Sequence, residues 1–216
     1  MREFGAALGK FGPGDYRDMP WKNGAGCTTE LLIAPPGASL AGDFLWRLSM
    51  ATVAESGPFS RFPGIDRTLL LLSGQGMELD HGARGRALLP GPLEPVRFPG
   101  EWATRGRLLN GPCLDFNVMS RRGQVQHEVV VTRPGPAPSP LPEAATVLVF
   151  CARGAAAITS CPGGILAGEL LRADGPGTSG LRVTAADPST ALVVVAIRPC
   201  APGPGLSPEP GNTGGG

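Results

Sequence analysis

Two pairs of polar side chains on strand-like stretches are the first candidates for chemistry. In Leu45-Trp46-Arg47-Leu48-Ser49-Met50, the alternation of an extended chain sends Arg47 and Ser49 to one face and Trp46, Leu48 and Met50 to the other. The same period places Asp115 with Asn117, opposite Leu114, Phe116 and Val118. A guanidinium grips a carboxylate through two parallel N–H donors, and hydroxyl and amide groups add neutral hydrogen bonds. Lining the inside of a barrel, such faces form a recognition site; turned outward, they are an ordinary solvated surface. Periodicity does not choose between the two.

Two loops carry further candidates. Pro20-Trp21-Lys22-Asn23-Gly24-Ala25-Gly26-Cys27-Thr28-Thr29-Glu30 sets an aromatic, an ammonium and an amide beside permissive glycines, just ahead of a strand. It reads as a binding loop or as a glycine-rich entry turn with an exposed lysine. Gly57-Pro-Phe-Ser-Arg-Phe-Pro-Gly-Ile-Asp-Arg67 holds Arg61, Asp66 and Arg67 in a proline-braced segment, where an Arg–Asp pair serves a ligand or merely the loop.

Other inventories point away from chemistry. Gly74-Gln-Gly76 has two of the three glycines of a dinucleotide fingerprint and follows a strand without opening a helix, so a tight turn explains it and no cofactor is expected. Five cysteines lie far apart with no C-x-x-C pair, and the two histidines, His81 and His127, share no ligand spacing. Buried free thiols and no metal site are the expectation.

The elements that must position these residues are strands. Among 216 residues there are 33 glycines and 24 prolines, but they concentrate in residues 133–142 and 201–216. The remainder punctuate ten short apolar, strand-like stretches between Thr29 and Arg198, as in an all-β sandwich or barrel. A net charge of +1 supplies no excess for nucleic acid, and no apolar run approaches membrane-spanning length. The first residues lack a signal-peptide core, so the cytoplasm is the expected compartment.

The chain repeats itself. Thr68-Leu-Leu-Leu-Leu-Ser-Gly-Gln-Gly76 falls on Thr146-Val-Leu-Val-Phe-Cys-Ala-Arg-Gly154, and Cys113–Arg121 falls on Thr190–Arg198 at nearly the same shift. The division expected is a site-bearing barrel over 1–133, a Pro-rich linker over 134–142, a degenerate second half over 143–200 and a disordered tail over 201–216. Residues 1–133 hold 15 of 19 Lys/Arg and 13 of 18 Asp/Glu, so polar chemistry belongs to the first half and the second shelters it.

The segments PWKNGAGCTTEL, FLWRLSMATV, SGPFSRFPGIDRTLLLLSGQGMEL, FPGEWATRGRLLNG and DFNVMSRRG, in this order, resemble the HutD/Ves family of double-stranded β-helix proteins over roughly residues 11–133. The resemblance implies a bicupin, two jelly-roll-like barrels from an internal duplication, and turns Arg47 and Ser49 toward a lumen. It implies a cupin without the usual metal-ligand cluster, binding a small acid of histidine degradation such as formylglutamate or urocanate in a regulatory role; Ves-type relatives are linked to environmental stress. Carried over residue by residue, it places Lys22, Asn23, Arg47, Ser49, Arg61, Asp66, Arg67, Asp115 and Asn117 around the pocket, with Thr28 and Glu30 as weaker members. Cys27 departs from the family, which more often has another small residue there. No activated nucleophile or histidine base is evident, so binding without turnover is the simplest expectation. The alternative is a metal-independent isomerase or hydrolase of a small organic acid, with Asp66, Asp115 or Lys22 carrying the proton. A homodimer is a further possibility left open by the sequence.

Overall fold

Period-two patterning folds the chain into antiparallel strands arranged in two similar units. The computed structural model describes residues 2–3, 8–21, 26–40 and 42–201. In the first unit a large sheet has the order Val96–Pro99, Ile65–Ser73, Cys113–Arg121, Trp46–Val53, Gly26–Ala34, Arg17–Pro20. A smaller sheet has the order Gly57–Pro58, Arg105–Leu108, Met77–Asp80, Arg86–Leu89. The second unit repeats this plan with Leu170–Asp174, Thr146–Arg153, Ala191–Pro199 and Val125–Thr132 against Ser139–Pro140, Arg182–Ala185, Ala155–Ile158 and Cys161–Leu166. The all-β class and its internal duplication are therefore those expected.

The units do not divide where the composition suggested. Val125–Thr132 pairs in unbroken register with Ala191–Pro199, and Leu8–Phe11 pairs with Leu170–Asp174, so both belong to the second unit's sheet. The Pro-rich segment is not a linker between the halves. It runs inside the second unit, with Ser139–Pro140 paired to Val183 and Arg182, Leu141 buried, and the Leu141 amide donating to the Leu181 carbonyl at 2.9 Å. Proline without an N–H suits such a short edge. Of the expected tail, residues 202–216 lie outside the described residues.

Alternation makes three apolar layers. Trp46, Leu48, Leu70, Phe116 and Val118 face outward from the first barrel and pack against Leu148, Phe150, Leu170, Val193 and Val195 of the second. The Phe116 and Phe150 rings meet at 5.0 Å, and the Arg172 guanidinium lies 5.3 Å over Trp46. The second barrel's interior is filled by Val147, Val149, Ile165, Leu171, Val183 and Leu192. The first barrel's interior has an apolar base of Leu69, Leu71, Met77, Leu79, Leu89 and Phe98. At its rim Gly74 takes φ +114° where a Cβ would stand 2.5 Å from Cys113 Sγ, which is why the turn there needs glycine. Cys113, Cys151 and Cys161 are buried free thiols. Among the described residues no helix is long and apolar enough to cross a membrane.

One polar bridge crosses the apolar seam. The buried ring of His127 meets Thr68 Oγ1 through Nε2 at 2.8 Å and Ser120 Oγ through Nδ1 at 2.7 Å. Desolvation, helped by the Arg97 charge, pushes its pKa down from 6.5 to about 4. The unfolded chain thus takes up a proton near the ordinary histidine value while the folded chain resists to about pH 4, and stability drains as pH falls through that window. In His127→Gln this drain is gone. Its stability deficit against wild type, measured by urea unfolding, shrinks by on the order of 2–3 kcal/mol between about pH 7 and about pH 4.5.

Candidate functional site in the first barrel

Three adjacent strands aim polar side chains into the first barrel. Ser49 lies opposite Asn117, Arg47 opposite Met119, and Met119 opposite Arg67, so the period-two faces of all three strands fall in one register. Glu30 enters from the next strand, directly opposite Ser49. The reverse faces of these strands are committed to the seam between the units, so the polar faces turn into the barrel. Arg47, Ser49, Arg67, Asp115 and Asn117 are each no more than 7% exposed.

Arg47 donates from Nε to Glu30 Oε2 at 2.6 Å and from Nη1 to Ser49 Oγ at 3.0 Å. Among the described residues its buried Nη2 has no hydrogen-bond partner. An unsatisfied guanidinium nitrogen in this environment is costly, and a ligand acceptor would relieve that cost. Arg67 donates from Nε to Asn117 Oδ1 at 3.4 Å and from Nη1 to the Ser60 carbonyl at 3.2 Å. Three rings surround its guanidinium, those of Phe59, Phe62 and Phe98, at 5.4, 5.5 and 5.2 Å. Burial lowers its pKa to about 10, partly offset by Asp115, and the like charge of Arg47 lowers it further. The cation persists at neutral pH.

Asp115 sits on the same inward face. Desolvation pushes its pKa up to about 7, against the opposing pull of Arg67 and a hydrogen bond from the Ala51 backbone. With Arg47 balanced by Glu30, Arg67 leaves the cluster with one uncompensated positive charge at pH values below about 7, where Asp115 holds its proton. One anion neutralises it. A small carboxylate can occupy the free Nη2 and share Arg67, while Ser49 and Asn117 offer neutral hydrogen bonds.

The described ends of the entry loop lie beside the polar face. Trp21 Nε1 donates to Thr28 Oγ1 at 2.8 Å, and Thr28 shares the inward face with Glu30. A Cβ on Gly26 would lie 2.3 Å from the Thr52 carbonyl oxygen and 3.0 Å from the Trp21 ring, so only glycine permits this approach. Lys22 and Asn23 lie outside the described residues. Cys27 alternates away from the inward face, and its Sγ approaches the Thr28 carbonyl at 3.8 Å.

Two expected residues stand elsewhere. Arg61 is exposed on the Phe59–Phe62 loop and donates from Nε to the Glu101 carbonyl at 2.9 Å, because Phe59 and Phe62 turn in toward Arg67 and drive the residues between them outward. Asp66 precedes Arg67 on one strand and must face oppositely. It pairs with Arg97 at 3.1 Å and Arg122 at 2.8 Å, in a surface network that also ties Arg122 to Glu101 at 2.7 Å. Sequence reasoning also missed Phe98 and the aromatic role of Phe59 and Phe62; their only signal was aromatic density flanking the Arg67 strand. Among the described residues no three His, Cys, Asp or Glu side chains converge as a metal would require.

Comparison with known proteins adds four findings. The HutD family model matches residues 14–191. Protein Ves of Escherichia fergusonii is 40% identical over 111 residues, 50% of this chain and 56% of that protein. A 21.2 kDa protein in the hutC 3' region of Pseudomonas putida is 44% identical over 106 residues, 49% of this chain and 54% of that protein. The matched stretch thus spans about half the length of these curated relatives. The solved structure of HutD from Pseudomonas fluorescens SBW25, in a formate condition, superposes with a TM-score of 0.76 at 30% identity, covering 90% of this chain and 100% of that one.

Proposed function

The chain belongs to the HutD family, and from that premise we propose that its first barrel binds a small organic carboxylate and serves histidine utilisation as a ligand-responsive regulator. The observation that carries the reading is the unpartnered Nη2 of Arg47, buried beside the ring-caged Arg67. Placement of the Pseudomonas putida relative by hutC supports the pathway, and acids of that pathway, formylglutamate and urocanate foremost, are the first candidates.

Titration calorimetry of the purified chain with formylglutamate, urocanate, glutamate and formate tests it. Saturable binding of one carboxylate per chain, lost when that acid is presented as its methyl ester, is the expected result. No heat from any acid in this series, with the chain folded, overturns the proposal.

One observation favours a second reading. Asp115, with a pKa near 7 beside a permanent cation, is suited to carry a proton in a metal-independent isomerisation or hydrolysis. A product signal in NMR of chelator-treated protein with these acids, abolished in Asp115→Asn while binding persists, selects the enzyme over the binder.

A further inference from the structure

The two units differ at one sheet edge. In the first, Trp46–Val53 is covered along its outer side by Gly26–Ala34, paired antiparallel over eight positions. Its counterpart in the second unit, Val125–Thr132, pairs among the described residues only with Ala191–Pro199 and ends the sheet. The duplicated architecture therefore has a strand position that this chain fills once and leaves open once.

The open edge lacks the usual safeguards against pairing. Val125–Thr132 is eight residues long, carries no proline, lysine or bulge, and keeps straight register with its neighbour. The Cys200 amide donates to the Gln124 carbonyl at 2.9 Å, which sets the phase of the ladder. Backbone N–H and C=O groups of Val125, His127, Val129 and Val131 then point away from the sheet. Val130, 47% exposed, forms with Glu128 and Thr132 one wall of a largely apolar slot of about 180 Å³ whose other walls include Leu141, Val183 and Val194. The one carboxylate on this strand, Glu128, is held by Arg198 at 3.3 Å.

We propose that the outer edge of Val125–Thr132 pairs antiparallel with the same strand of a second copy of this chain, joining two six-stranded sheets into one across a two-fold axis at Val130. The strand itself selects this occupant. An axis at Val130 sets Val130 against its own copy, each over the other's slot, and matches Glu128 with Thr132. Val129 then exchanges backbone hydrogen bonds with the other copy's Val131. An axis at Glu128 opposes two carboxylates, and one at Val129 sets each carboxylate on Val130, both unfavourable. Knob and slot on one strand make the contact self-complementary, as a two-fold interface requires, and a net charge of +1 per chain adds little repulsion.

Sedimentation equilibrium of the full chain, with variants, tests the pairing. Wild type is expected as a dimer. Val129→Pro is expected as a monomer with an unchanged far-ultraviolet spectrum, since its lost N–H faces away from the parent sheet. If that variant does not fold, Val130→Glu serves, placing two charges across the axis with the same expected loss. Oxidised Val130→Cys should form a covalent dimer, because directly opposed residues of a non-hydrogen-bonded pair lie about 4.5 Å apart between Cα atoms. Wild type and Gln126→Cys should not. A monomeric wild type, a dimer that survives Val129→Pro and Val130→Glu, or a Val130→Cys chain that stays uncrosslinked each overturns the proposal.

Discussion

Arg47→Met is expected to raise the dissociation constant for the bound carboxylate by roughly 100-fold or more, since the truncated partner of a buried charge-assisted contact is worth several kcal/mol. Arg47 Nη2 has no hydrogen-bond partner among the described residues. Removing the guanidinium also strands Glu30, whose side chain is only 12% exposed and whose cation lies 2.6 Å away. Stability should therefore fall by about 3 kcal/mol, the usual cost of breaking a buried pair from one side. Arg47→Met combined with Glu30→Gln should regain most of that stability and none of the affinity. This separates the ligand contact from the structural one. Arg61→Ala is the control: an exposed guanidinium bound to a backbone carbonyl, it should change stability by less than about 0.5 kcal/mol and leave affinity intact. Calorimetry and urea unfolding on the four proteins decide the matter, and an affinity that tracks Arg61 rather than Arg47 refutes the site.

The second large effect is on pH. Asp115 is raised in the fold from 3.8 to about 7 by desolvation, with Arg67 pulling the other way and Arg47 and Glu30 filling the rest of the polar cluster. Between these values the unfolded chain has shed its proton and the folded chain has not, so folding binds a proton. Stability is full below the unfolded value, declines as pH rises, and levels off above the folded value. Asp115→Asn should erase that decline and be more stable than wild type at about pH 8 by on the order of 3 kcal/mol.

Ligand binding follows the same linkage. A carboxylate drawn to Arg67 repels the ionised Asp115 and raises its pKa further, so binding takes up a proton. Affinity should fall as pH climbs past 7, by at most about tenfold per unit, while Asp115→Asn binds evenly across the range. Calorimetry in two buffers of different ionisation enthalpy reads the proton directly. His127 and Asp115 tilt the wild-type stability profile in opposite directions through the acid range, so the wild type should look flat where each variant exposes the other's slope.

What the sequence determined was the pairing of neighbours along a strand. Alternation put Arg47 with Ser49 and Asp115 with Asn117 because an extended backbone leaves no other choice. The same rule sets Asp66 and Arg67 on opposite faces, but only once the structure shows that both lie on the Ile65–Ser73 strand rather than in a loop. The repeat of Thr68–Gly76 at Thr146–Gly154 was legible too, because both halves need the same apolar ladder.

Tertiary structure decided which face went inside. The faces bearing Trp46, Leu48, Phe116 and Val118 are more apolar than the Arg47 and Asp115 faces, but only the second unit's Leu148, Phe150 and Val193 give them a surface to bury against. With that seam formed, the polar faces had to turn into the lumen. Loops carry no period, so the outward turn of Arg61, the inward turn of Phe59 and Phe62, and the passage of the Pro-rich segment through the second barrel depended on packing partners distant in the chain. The unpaired N–H donors of Arg47 Nη2 belong to the same class: composition supplies the arginine, and only the positions of Glu30 and Ser49 show which nitrogen lacks an acceptor among the described residues.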